Sequence, residues 1–249
     1  MAHADPGSVP ILQSFFKTGA GQYGEDDVFV GVRVPAMRSV CRDCRGAGLD
    51  AIRTLLRSRV HEERLLALLL LVDSFNHGDQ ADRRGLYDFY LSETAFINNW
   101  ELVDSSAAWI VGAWLYERSR APLRPLAKSP SLWERRIAIV ATHYFIRHGD
   151  VDDTFRIADL LLDDTHDLIH KAVGWMLREA GNQDGAAERR FLKSRYRRMP
   201  RTMLRYAIEK FPRPKGRSIY KDRCRHGGGN GAHGTSLKHG GTEARSSLC

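Results

Sequence analysis

Apolar residues recur along most of the chain at the three-to-four-residue spacing of helices, and the alternation expected of half-buried strands is almost absent. His61–Asn76 (HEERLLALLLLVDSFN) predicts a long helix stopped at Gly78, with Asp79–Ser92 as its partner. Ile97–Arg118 predicts two helical segments or one kinked helix. Ser131-Leu132-Trp133-Glu134 has the form of a capping box, opening a helix that reaches His148 and stops at Gly149. Asp150 is a candidate cap for a helix through Leu162. Thr165 or Asp164 would cap another, running to Ala180 and closed by Gly181. Pro200, tolerated in a first helical turn, opens RTMLRYAIEKF.

These helix pairs begin near residues 60, 97, 130, 166 and 200, in steps of about 33–37 residues. That is the period of helical repeat arrays, which stack helix pairs into a solenoid with a concave binding face. No tight consensus recurs, so the repetition is degenerate and an orthogonal helix bundle is the competing architecture. After Phe211 the pattern changes. PRPKGRSIYKDR is basic and broken by proline, and the Gly-, Ser- and His-rich remainder has little to bury, so residues 213–249 are expected to be a disordered tail behind a 1–212 domain.

Composition narrows the function classes. A chain of 249 residues with 43% hydrophobic content fits a soluble globular protein. Its longest apolar run, Leu65–Val72, is too short to span a bilayer, and MAHADPGSVP does not read as a signal peptide. The four cysteines are too few for a disulfide framework, so a reducing cytoplasm is expected. The net charge of +8 is segregated: residues 189–225 hold fifteen Lys or Arg against Glu209 and Asp222, whereas 1–188 carries a net negative charge. A basic segment on an acidic body suggests a polyanionic partner, nucleic acid first.

Few motifs carry chemistry. Cys41-Arg42-Asp43-Cys44 has no second CxxC, and no His pair stands at ligand spacing, so it reads as two helical cysteines rather than a metal site. His226, His233 and His239 lie in the Gly-rich tail. No Gly-rich loop follows a strand, so no nucleotide cofactor is indicated. Trp100 and Asp104 share a helix face if the helix is continuous between them, although Asp104 could equally cap a helix and Trp100 fill a core. Arg135 and Arg136 stand early in a helix, near its positive end, where a bound phosphate would offset the repulsion; a solvated pair or an interhelical salt bridge is the plainer explanation. Trp175 follows a glycine in KAVGWMLRE and by itself reads as core.

NNWELVD, LWERRIAIV, KAVGWMLRE and MPRTMLRYAIEKF, in that order, resemble the AlkD-like DNA alkylation-repair glycosylases from about residue 10 to 212. The resemblance implies an all-α fold of HEAT-like repeats whose concave face holds duplex DNA. It implies excision of positively charged N3- and N7-alkylpurines without a metal or other cofactor, and without inserting the lesion into a base pocket. Matching the family's site pattern places Trp100, Asp104, Arg136 and Trp175 in the active site. Arg136 is expected to bind the lesion-strand phosphate, with Arg135, Arg197, Arg198, Arg201 and Arg205 as further DNA contacts. The chain departs from the pattern at Asn99, where some relatives have an aromatic, and in its C-terminal tail.

The chemistry suits those residue types. A cationic alkylpurine leaves without being protonated, so the general acid of glycoside hydrolysis can be missing. One carboxylate near the sugar can stabilise an oxocarbenium-like centre and orient water, and aromatic faces can hold the cationic base. A monomeric glycosylase acting on chromosomal DNA is the expectation; a non-catalytic helical-repeat binder of damaged or branched DNA is the alternative.

Overall fold

The structure, a computed structural model, describes residues 3–211. The expected tail, with its three histidines, lies outside the described residues. Five helices form the backbone of the molecule: α4 (His61–His77), α6 (Trp100–Ala107), α9 (Leu132–Arg147), α11 (Asp167–Gln183) and α13 (Arg201–Ala207). Their starts fall at or within a few residues of the expected repeat positions. Each packs on the next in order, α4 on α6, α6 on α9, α9 on α11 and α11 on α13. This succession is a helical-repeat solenoid, in which every unit buries its apolar face against its neighbours.

The remaining helices accompany that row. α2 (Val34–Asp43) and α3 (Leu49–Leu56) pack on α4, and α5 (Gln80–Ser92) follows it. α8 (Leu123–Ala127) lies on α9, α10 (Asp152–Leu160) on α9 and α11, and α12 (Gly185–Arg195) on α11. The short α1 (Val9–Gln13) leads into a long segment that meets the first repeat by one isolated β-bridge, Val28 to Val60. No strand occurs among the described residues, so the fold is all-α.

Local chemistry sets the helix ends. Asp79 and Asp82 form a reciprocal capping box at α5. Gly149, at φ +81°, closes α9 in a Schellman arrangement, its own N–H donating to Ile146 and that of Asp150 to Phe145. Several caps differ from expectation. Ser131 accepts from the Glu134 N–H at 3.4 Å, but the Glu134 carboxylate instead accepts from Thr94 Oγ1 at 2.8 Å, so the second half of that box is exchanged for a tie to the preceding repeat. α10 starts after Val151 rather than Asp150. His166, not Thr165 or Asp164, caps α11, accepting from the Leu168 N–H through Nδ1. Gly181 does not stop α11, which continues to Gln183.

α6 runs without a break through Asp104, and Asn99 is its N-cap. Asp104 therefore caps nothing. After Ala107 the helix passes through a π turn (Ala108–Gly112) into α7 (Ala113–Leu115), so the stretch expected to be two helical segments or one kinked helix is a continuous helix from Trp100 with a π turn. Close approach demands glycine at two interfaces. A Cβ on Gly112 would stand 2.2 Å from the Ala141 carbonyl oxygen, and one on Gly174 would stand 2.5 Å from the Met203 carbonyl oxygen.

Candidate active site

Asp104 lies one turn into α6, facing α9 across the repeat interface. Arg136 donates to it through Nε at 2.9 Å and through Nη2 at 2.7 Å, a two-pronged grip that fixes the carboxylate plane. Its Nη1 donates to the Leu168 carbonyl oxygen at 2.5 Å. One guanidinium thus ties α6, α9 and α11 together. The Arg136 side chain is 5% exposed and that of Asp104 13%. Arg136 is consequently set as a buried clamp rather than an outward phosphate ligand, while the carboxylate keeps acceptor capacity beyond the two bonds made to Arg136.

Trp100 stands one turn before Asp104 on the same unbroken helix. Its ring stacks on Phe16 at 5.2 Å, and Phe16 in turn meets Phe29 at 5.2 Å and His61 at 4.7 Å. A buried polar network anchors this end of α6. Asp27 accepts from Arg64 at 2.5 Å and from Asn99 Nδ2 at 3.3 Å; Arg64 also donates to Asn98 at 2.9 Å, and His61 Nε2 pairs with Glu101 at 2.8 Å. Burial opposes charge on His61, but the Asp27 carboxylate 3.5 Å from Nδ1 and the bond to Glu101 prevail and hold its pKa above the usual imidazole value. Asn99, where some relatives have an aromatic, is fully buried here and caps α6.

Trp175 enters from α11 with its indole N–H donating to Glu179 Oε1 at 3.2 Å. Arg178 and Asn182 also donate to Glu179, so the carboxylate that orients the indole is itself held. Gly174, the residue before Trp175, permits the tight packing of α11 on α13. His143 of α9 lies 5.6 Å from the Trp175 ring and 6.4 Å from that of Trp109. Burial holds the His143 pKa below the usual value, with Glu179 and Asp104 opposing and Arg147 assisting. The sequence reading missed Trp109, His143 and Glu179. His143 could have been found, because it follows Arg136 by seven residues on one helical face. Trp109 is five residues beyond Asp104 and joins the same side through the π turn, which no spacing rule announces.

The other expected DNA contacts fall into two groups. Arg135 pairs with Asp164 at 2.7 Å and donates to the carbonyls of Ser129 and Pro130, so it serves the loop between repeats. Arg197, Arg198, Arg201 and Arg205 are exposed at the start of the last repeat. Arg198 pairs with Asp163 at 2.5 Å, both half-exposed; Arg197 lies over Tyr196, and Arg205 over Tyr206. Cys41 is buried on α2 and Cys44 exposed at its end, and both thiols are free. No helix among the described residues is long and apolar enough to cross a membrane.

Fold and site together define an all-α helical-repeat protein with a clamped carboxylate among aromatic rings. The chain belongs to the DNA alkylation repair enzyme family, which it matches over residues 1–211. Its fold is similar to a solved structure described as a predicted DNA alkylation repair enzyme from Enterococcus faecalis, with a TM-score of 0.65. That likeness covers 85% of this chain and 98% of the other at 13% identity, and so speaks for the fold alone. No curated protein matches the chain significantly.

Proposed function

We propose that this protein is a DNA glycosylase that hydrolyses the N-glycosidic bond of positively charged N3- and N7-alkylpurines in duplex DNA, leaving an abasic site. The observation that carries the reading is the Asp104 carboxylate, which shares α6 with Trp100 and is gripped at both oxygens by buried Arg136 of α9. In the reaction the bond from C1′ to the purine nitrogen breaks and its electron pair neutralises the departing base. Positive charge then develops on the sugar, where a fixed carboxylate stabilises it most. Water adds to C1′ and its proton passes to solvent or to the carboxylate. Arg136 acts through Asp104 as a positioning residue, and Trp100 and Trp175 offer ring surfaces to the sugar and the cationic base, each such contact contributing about 0.5–2 kcal/mol. Exposed Arg197, Arg198, Arg201 and Arg205 supply phosphate contacts. The reading requires no metal or cofactor, and the protein would act as a monomer on chromosomal DNA in the cytoplasm.

The test is release of 7-methylguanine or 3-methyladenine from duplex DNA by wild type and Asp104→Asn, with thermal melts of both. Release should fall on the order of 10²–10³-fold in the variant. Equal release by the two proteins overturns the role of Asp104. Tight DNA binding with no base released from any alkylated duplex would identify a binder instead.

A further inference from the structure

Between the two tryptophans of the inner helices stands a group that the reaction above does not use. The His143 ring meets Trp175 at 5.6 Å with 47° between planes, and Trp109 edge-on at 6.4 Å and 69°. Three rings from three successive repeats thereby form one wall, and His143 is its titratable member. We propose that His143 is a specificity-determining residue: its ring completes an aromatic wall beside the cationic nucleotide, and a proton gained there sets like charge against that nucleotide. The inference rests on the glycosylase reading of the site and names the group that makes its preference for cationic bases depend on pH.

The reasoning is electrostatic. A neutral imidazole beside two indoles presents ring faces that attract a cation. An imidazolium in the same place sets like charge against like charge, in surroundings that screen less than water. Burial and three charged groups settle which form prevails. Asp104 faces the ring from α6 and Glu179 from α11, both favouring the proton; Arg147, on the same helix as His143, disfavours it, and burial disfavours it more than any other influence. The net effect keeps His143 neutral at physiological pH, and the switch lies on the acid side of the ordinary imidazole value of about 6.5.

The experiment compares full-length wild type, His143→Phe and His143→Arg between about pH 7.5 and 5.5, the range in which imidazole titrates. Release of 7-methylguanine is measured after subtracting spontaneous depurination. Wild-type release should fall by about three- to ten-fold toward the acid end, the upper bound being what an imidazole of pKa about 6.5 would lose at about pH 5.5. His143→Phe, which keeps a ring but takes no proton, should flatten that profile to within about two-fold. His143→Arg, a fixed cation, should lower release at least about ten-fold at every pH while melting like wild type. An unchanged acid limb in His143→Phe, or wild-type release by His143→Arg, overturns the proposal. Should wild type release no base, the glycosylase reading fails, and His143 is still judged by binding. There the preference for a duplex carrying one 7-methylguanine over an unmodified duplex should vanish in His143→Arg. A preference that persists in that variant, or none in any protein at any pH, overturns it.

Discussion

The Asp104–Arg136 pair joins two demands on one contact, because the guanidinium that orients the carboxylate also bridges three helices. Removing it would strand a largely buried carboxylate and leave the Leu168 carbonyl without that donor. Breaking such a pair from one side typically costs about 3–5 kcal/mol, so Arg136→Ala should show that loss in chemical denaturation. Arg136→Lys keeps the charge but not the fork, and should lose more base release than stability. Glu188 of α12 poses the opposite problem. It is buried, Oε1 has no hydrogen-bond partner, and burial pushes its pKa up to about 8. The folded protein therefore keeps a proton that the unfolded chain releases near pH 4.5, and stability falls as pH rises from there toward 8. Glu188→Gln, which cannot ionise, should melt above wild type at pH 8, with the gap closing as the pH falls from 8 toward 4.5. A melting difference independent of pH would refute this account. Trp100, Asp104, Arg136 and Trp175 could be singled out as candidates from short motifs in order. The burial of Arg136 was not legible, since a pattern of residue types carries no information about which side chains face inward.

At the scale of elements, the repeat period was visible because the inner helices carry long apolar stripes, and starts near 60, 97, 130, 166 and 200 became starts at His61, Trp100, Leu132, Asp167 and Arg201. Caps were less legible, because partners distant in sequence compete for the capping side chain, as Thr94 does for Glu134. The π turn after Ala107 was hidden altogether: it lies where Gly112 seats against Ala141 and Tyr144, and such a contact between two helices is not written in the residue types of one. Gly174, next to Trp175 in the chain, permits a comparable close approach of α11 and α13. Its absent Cβ would meet the Met203 carbonyl oxygen and the Tyr206 Cβ, each at 2.5 Å, so neither backbone nor side chain can yield cheaply. Gly174→Ala should force α11 and α13 apart at a cost of about 1–3 kcal/mol. It should also lower base release by displacing the Trp175 indole from Glu179. A variant as stable and as active as wild type would show that the interface relaxes more freely than its geometry implies.

Across the whole molecule, charge is sorted along the chain, and the basic end of the described structure begins at α12 and continues into α13. Exposed arginines there are well placed for phosphate contacts that do not depend on sequence, whereas Arg135 is engaged by Asp164 and two carbonyls. Each phosphate contact releases condensed counterions, so the logarithm of affinity falls with the logarithm of salt by about 0.9 per contact. Binding of an unmodified duplex, followed by fluorescence anisotropy from about 50 to 200 mM salt, should therefore be steeply salt-dependent. Arg201→Ala and Arg205→Ala should each reduce that slope by about one and weaken alkylated and unmodified duplexes alike. Arg198 must first give up Asp163, but that exposed pair contributes little and should yield readily to a phosphate. Arg135→Ala should leave the slope unchanged and lower the melting temperature instead, because its contacts hold the loop before α9 to the start of α11. If Arg135→Ala shifts the slope while Arg201→Ala and Arg205→Ala do not, DNA lies against a different face of the solenoid.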